Sequence, residues 1–465
     1  MNVYLLSVVV YLVLMALIGV YFARKSIHTG EDFIIAGRSL PLPVVIGTLL
    51  ATFVGSGTVV GGASFIYQYG PFAAIFNLSG SFVGMIFLYF IAIKIRNTGM
   101  YTVPQMIEKR FGVVARLLST ILIIFAYVGI TAYQFTGGAY VLQLTTGIPL
   151  KIGTLIMVIL VIFLTVTGGL FSVAYTDAIS SLLIVGGFLL GLPFALNAVG
   201  GFEGLSLSLP EHALSWNGGL STIQLIGYFL PLFLLILGDQ NMYQRLAASK
   251  SPSVAKKSTI GFVISNALVI GLTILLATTA IVMFPGIDAD AAILKIAVDG
   301  VPVGIGVIIL SASVAFLITT GTSYLLSVSG NLVYDIFQRF SKNEISEKGI
   351  LNLNRWTVVG LGIFAYVLGE YFPTVLELQM YAYTMYGAAI TPVILATMLW
   401  KRATRYGIIS SMIIGGMSTI IWEIFLDKPY DWNSVIVALP LAVLTLVIVS
   451  LATRDERALS YYIEQ

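Results

Sequence analysis

The octapeptide F-L-I-T-T-G-T-S at 316–323 gathers three threonines and a serine inside an apolar stretch at 305–336. Hydroxyls are costly in hydrocarbon unless they find partners. On a helix, Phe316, Thr319, Thr320 and Ser323 fall on one face, because positions i, i+3, i+4 and i+7 stack together. A row of neutral oxygens aimed one way suits a small hard cation, which takes oxygen ligands. The same row is also explained by hydroxyls bonding back to carbonyls of their own helix, or joining two helices.

Few ionisable residues accompany it within apolar segments: Asp177, Asp239, Glu377 and Glu423. Intramembrane carboxylates are functional candidates by default. Asp177 is read at the start of a span, where a carboxylate also serves as a helix cap. Asp239 lies in G-D-Q-N at 238–241 and has Arg245 as a candidate partner. Glu377 and Glu423 lie near span ends. The two histidines, His28 and His212, fall in loops, and there is no cysteine. Histidine metal chemistry and thiol chemistry are therefore not expected. With no phosphate loop and no nucleophile–histidine pair, the chain is not read as an enzyme or an ATP-driven pump.

These residues must be held by membrane helices. The 465-residue chain is 58% hydrophobic and 10% charged, with mean hydropathy +0.98, whereas soluble domains are about 25% charged. Apolar runs of bilayer-crossing length recur end to end, and thirteen spans are expected. The first, 3–23, is followed by Arg24 and Lys25 and reads as a retained helix rather than a cleaved signal. With the N-terminus outside and the C-terminus cytoplasmic, only Lys151, Lys295 and Lys428 of the 24 basic residues miss the cytoplasmic side, as the positive-inside rule asks. No nucleic-acid partner is needed to explain a net charge of +3.

The second span, 42–69, contains G-S-G-T-V-V-G-G at 55–62. Such glycine density either packs helices closely, with Gly57 and Gly61 as a small-xxx-small pair, or breaks the helix so that unwound carbonyls face a cavity. The seventh span, 222–246, carries Pro231 and then G-D-Q-N. Two break signals five spans apart fit a repeat of five helices.

The order of motifs resembles the sodium:solute symporter family over essentially the whole chain. They are D-F-I-I-A-G-R-S-L at 32–40, T-V-P-Q-M-I-E-K-R-F-G at 102–112, G-G-L-F-S-V-A-Y-T-D at 168–177, G-D-Q-N-M-Y-Q-R at 238–245, S-G-N-L-V-Y-D-I-F at 329–337 and L-W-K-R at 399–402. The resemblance implies an all-α membrane domain of the leucine-transporter type. A leading helix (3–23) would precede two inverted repeats (42–198 and 222–400), and two further helices (405–452) would follow. It implies a sodium site formed by carbonyls of Ala51 and Val54 with Phe316, Thr319 and Thr320. A second sodium site, as in sialic acid carriers, maps to Asp177, Thr319, Thr322 and Ser323.

The implied solute pocket maps to Gly55, Thr58, Asn77, Gln134, Gln240 and Tyr381. It lacks the arginine of sialic acid carriers, and Phe53 replaces the acidic residue of proline carriers. The expected function is sodium-coupled import of a small organic solute (amino acid, carboxylate, sugar or vitamin) across the cell membrane, with Na+ as the coupling ion and no obligate protein partner. A proton-coupled carrier on the same scaffold, or a transporter-like sensor or channel, is the alternative. Replacing sodium with choline at fixed pH separates the first of these, and concentrative uptake excludes a channel.

Overall fold

The computed structural model describes residues 3–26, 35–98, 102–167, 170–341, 345–456 and 458. Among them the chain is helical throughout, and its only β-type pairing is one isolated bridge between Leu40 and Ser249. The main helices are α1 (Val3–Ser26), α2 (Leu42–Phe53), α3 (Ala63–Tyr69), α4 (Pro71–Asn97), α5 (Val103–Phe111), α6 (Val113–Thr146), α7 (Leu150–Thr167), α8 (Leu170–Ala198), α9 (Thr222–Gly238), α10 (Gln240–Ala248), α11 (Pro252–Met283), α12 (Val303–Gly330), α13 (Glu347–Gly369), α14 (Val375–Ala389), α15 (Thr391–Leu399), α16 (Arg405–Ile420) and α17 (Val435–Ala452). Among the described residues, eleven segments are long and apolar enough to cross a membrane, and the bent pair α2 and α3 makes a twelfth. The remaining expected span, 3–23, corresponds to α1, whose apolar part Val3–Ile18 falls short of the roughly 20 residues a bilayer core asks for.

Three of these spans are interrupted. Between α2 and α3 the chain bends by 56° and passes through a π-turn at Gly57–Gly62. α9 and α10 meet at Asp239, whose extended backbone (φ −62, ψ 119) ends one helix while its carboxylate caps the next. Pro231 lies inside α9 without ending it, so the break belongs to G-D-Q-N. A third interruption, unmarked in the sequence reading, separates α14 from α15 at Ile390 (φ −109). Pro392 follows two residues later, and its missing N–H and fixed ring make continuation of a helix costly.

Close approaches position the site. At Gly47 an added Cβ would lie 2.6 Å from the Ala178 Cα, so α2 and α8 touch backbone to backbone and set Thr48 beside Asp177. On the other side of the bundle, buried Arg110 of α5 donates to the carbonyls of Ala396, Thr397, Trp400 and Lys401, at the end of α15, and to Ala458. A cation there satisfies orphan carbonyls and opposes the negative end of the helix dipole. The three exceptional lysines all have acidic partners: Lys151 with Glu370 at 3.5 Å, Lys295 with Asp299 at 2.5 Å and Lys428 with Glu377 at 3.2 Å.

Candidate functional site

The break after α2 frees backbone carbonyls in a defined order. In a continuous helix the Gly55 N–H would bond to Ala51 and the Thr58 N–H to Val54. Here the Gly55 N–H turns to the Phe53 carbonyl, and the N–H groups of Thr58 and Val59 both turn to the Gly55 carbonyl. The carbonyls of Ala51 and Val54 thereby lose their ordinary donors. Thr320 of α12 comes across and donates its hydroxyl to the Ala51 carbonyl at 2.9 Å. The preceding residue, Thr319, donates to the Phe316 carbonyl at 3.3 Å. Ala51, Val54, Phe316 and Thr320 are buried to 2% exposure or less. The α2 break and the hydroxyl face of α12 therefore meet, and neutral oxygens from two helices share one spot.

A second polar focus lies at Asp177, which is fully buried. It stands two turns inside α8 rather than at a helix start, so capping is not its role. The Thr48 hydroxyl donates to Asp177 Oδ2 at 2.6 Å, and the Arg245 guanidinium approaches the same oxygen at 3.6 Å. Arg245 also donates to Ser323 Oγ at 2.8 Å and Thr48 Oγ1 at 3.1 Å. Of the four residues expected at a second ion site, Asp177 and Ser323 are joined through this arginine. Thr319 also lies within bonding reach of the carboxylate. The Thr322 hydroxyl turns back to the Thr319 carbonyl at 3.0 Å, and Thr322, like Thr319, lines an apolar groove among α1, α7, α8 and α12.

The pairing of Asp239 with Arg245 expected from the sequence is not formed. Asp239 instead accepts from Tyr127 and from Tyr324 (2.7 Å), and it caps the Asn241 N–H at 2.9 Å. Three donors stabilise a buried carboxylate without a cation, which leaves Arg245 to Asp177.

The expected solute residues divide. Gln134 accepts from the Ser56 N–H at 2.8 Å, and a Cβ on Gly55 would lie 2.8 Å from Thr320 Oγ1 and 3.0 Å from the Gln134 amide. Gly55 and Gln134 thus adjoin the Thr320 junction. Thr58 is buried in the π-turn, and Asn77 is buried on α4 with Oδ1 unpartnered. Gln240 belongs elsewhere: it accepts from the Val103 N–H and donates to Ser327 and Asn331, tying α10 to α5 and α12. Tyr381 packs on Phe372, with ring centroids 5.1 Å apart.

Gln379 and Tyr383 of α14 take the place beside the break. A Cβ on Gly57 would lie 2.7 Å from the Tyr383 hydroxyl and 2.9 Å from Gln379 Nε2, and one on Gly61 would strike Gln379. Residues 379 and 383 share a helix face, whereas 381 is on the opposite one. Tyr383 also accepts from Tyr133 at 3.1 Å. Ser56 Oγ, Gln134 Nε2 and Gln379 Oε1 are buried without partners. An unsatisfied buried polar atom costs about 1–3 kcal/mol, so this neutral cluster is suited to a polar ligand. The signal for Gln379 was in the sequence: Gly57 and Gly61 leave a slot on one helix that a long polar side chain can fill.

This architecture is a leucine-transporter-like helical fold. A solved substrate-bound, outward-open Na+-coupled sialic acid symporter superposes with TM-score 0.83 at 19% identity, covering 97% of this chain and 98% of that one. The model of the sodium:solute symporter family matches residues 33–415, and the chain belongs to that family. Its relatives include the osmoregulated proline transporter of Bacillus subtilis, 24% identical over 98% of this chain and 96% of the relative. The sodium/glucose cotransporter of Vibrio parahaemolyticus is 25% identical over 90% and 83%. The protein is a multi-pass membrane symporter with Na+ as its coupling ion.

Proposed function

We propose that this chain imports a small organic solute with two sodium ions, one at the junction of α2 and α12 and one at Asp177. The observation that carries the reading is the Thr320 hydroxyl on the Ala51 carbonyl, a carbonyl released by the helix break. An ion there would pull α12 toward the broken span, and the same break presents Ser56, Gln134, Gln379 and Tyr383 to a solute. Ion and solute binding are thereby linked through one flexible element. Moving one charge through 100 mV supplies about 2.3 kcal/mol, and a second ion about doubles it.

The helices are organised as a leading helix (3–23), inverted repeats at 42–198 and 222–400, and two trailing helices (405–452), thirteen spans in all. The breaks near Gly55 and at Asp239, in spans five apart, support this division. With the N-terminus outside and the C-terminus cytoplasmic, Lys151, Lys295 and Lys428 all lie on the outer side. Their pairing with Glu370, Asp299 and Glu377 supports that orientation, because a paired lysine adds no net positive charge there.

The solute cluster carries neutral amides and hydroxyls with both donor and acceptor atoms free. It fits a solute that offers both, such as an amino acid or a sugar. The test is purified protein screened by thermal shift against amino acids, carboxylates, sugars and vitamins, with and without sodium, followed by uptake into liposomes. Stabilisation and concentrative uptake that require sodium are expected. Equal uptake when choline replaces sodium at fixed pH would overturn the reading.

A further inference from the structure

Arg245 is a fully buried cation set among oxygens proposed to hold the second sodium ion. It comes from α10, the cytoplasmic half of a broken span, and reaches three other helices: Thr48 on α2, Asp177 on α8 and Ser323 on α12. Its other amino group is held at home by the Asn241 carbonyl at 3.2 Å. The Asp177 carboxylate is used asymmetrically. Oδ2 takes the Thr48 hydroxyl and the guanidinium, while Oδ1 is buried and has no partner. A buried carboxylate oxygen left free beside a cluster of hydroxyls is a vacant ligand position for a cation.

We infer that Arg245 is the resident cation of the second sodium site, holding Asp177 and Ser323 until a sodium ion takes these oxygens from it. This rests on the reading that Asp177 forms such a site. The physical argument is charge. With Arg245 in place the carboxylate is already neutralised, so an added sodium ion leaves one uncompensated positive charge in a buried setting, which is expensive. If sodium displaces the guanidinium from Asp177 and Ser323, the carboxylate keeps one close cation throughout, and the freed guanidinium is left to the buried charge of Asp239, which already acts on it. Sodium entry then releases α10 from α8 and α12. Asn241 keeps its hold on the guanidinium through its carbonyl at 3.2 Å and its side-chain oxygen at 3.3 Å, so the freed group stays on α10. Arg245 thus sets both the affinity of the second ion and the tie between the lower half of the second broken span and the rest of the core.

The test is equilibrium binding of radiolabelled sodium to purified wild type, Arg245→Gln, Arg245→Lys, Asp177→Asn and the double variant Asp177→Asn/Arg245→Gln. Removing a tethered competitor should tighten the Asp177-dependent ion about tenfold in Arg245→Gln. Arg245→Lys keeps the charge and hence the fold, but an ammonium lacks the planar fork that spans several oxygens. It should tighten binding by a smaller factor. The double variant should lose that ion and keep the other. Sodium affinity equal to or weaker than wild type in both single Arg245 variants would overturn the inference. Wild type and Asp177→Asn binding the same number of ions with the same affinity would instead contradict the second site as a working sodium site. In that case an extra ion gained by Arg245→Gln and absent from the double variant would still establish Arg245 as its occupant, and no gain would refute it.

Discussion

The two proposed cation positions share α12 but would solve the problem of burying an ion in opposite ways. At the junction of α2 and α12 the ligands are neutral: carbonyls stripped of helical donors by a break, and the hydroxyl of Thr320. No charge is buried before the ion arrives, and the cost falls on unwinding the backbone. At Asp177 the helix is intact and a full negative charge is buried beforehand, balanced by Arg245. The first arrangement makes ion binding depend on backbone conformation, which suits a coupling element. The second makes it depend on exchange between two cations, which suits a regulator of affinity. Removing one member of a buried ion pair is expected to cost more than altering a neutral ligand, so the two sites should respond differently to conservative changes.

The largest effect should come from Gly55→Ala combined with Gly57→Ala. Alanine favours a helix by about 1 kcal/mol per site, but the new Cβ atoms would lie 2.8 Å from Thr320 Oγ1 and 2.7 Å from the Tyr383 hydroxyl, and overpacking costs about 1–3 kcal/mol. Sterics therefore prevail over propensity. Sodium and solute binding should both be lost in a protein that still inserts, as measured by sodium binding and size-exclusion behaviour. Normal sodium-dependent uptake would mean that these glycines serve packing alone. Next, Asp177→Asn should remove one ion and leave the junction ion, lowering the sodium Hill coefficient toward one while residual transport persists. Thr322→Ala should have a smaller effect, a modest weakening of the second ion, because its hydroxyl already bonds to the Thr319 carbonyl. An effect as large as that of Asp177→Asn would show that Thr322 turns to the ion.

The smallest effect is expected at the ion cluster of α5. Glu108 pairs with Arg116 and Arg339. Burial alone would raise its pKa, but these two arginines outweigh it and hold the carboxyl below its usual range. A depressed carboxylate contributes stability above its unfolded pKa, about 4.3, and loses it as pH falls through the lower folded value. Glu108→Gln should therefore lower the melting temperature slightly at pH 7 and make no difference in strong acid.

The membrane class and the shared hydroxyl face of α12 were legible in the sequence, because hydropathy and helical spacing are local signals; glycine density marked the second span as unusual but did not choose between close packing and a break. The meeting of Ala51 with Thr320, 269 residues apart, was reached through the resemblance to a family, since no local pattern carries it. Partner choice among buried charges was not legible. Arg245 lies six residues from Asp239 yet binds Asp177, because three hydrogen-bond donors already satisfy Asp239. Gln240 and Tyr381 are polar residues of broken spans whose side chains turn to other partners, Gln240 to Val103, Ser327 and Asn331 and Tyr381 to Phe372. Gln379 was missed because the slot it fills is made by glycines of another helix.

The most direct test of the account is radiolabelled sodium binding to purified Thr320→Val. Valine keeps the branched shape and deletes the oxygen that meets the Ala51 carbonyl. The account predicts that the junction ion weakens by about tenfold or more, equivalent to at least about 1.4 kcal/mol, while the Asp177 ion stays near wild type and the melting temperature without sodium falls modestly, because the Ala51 carbonyl loses its donor. Unchanged affinity for both ions would contradict it.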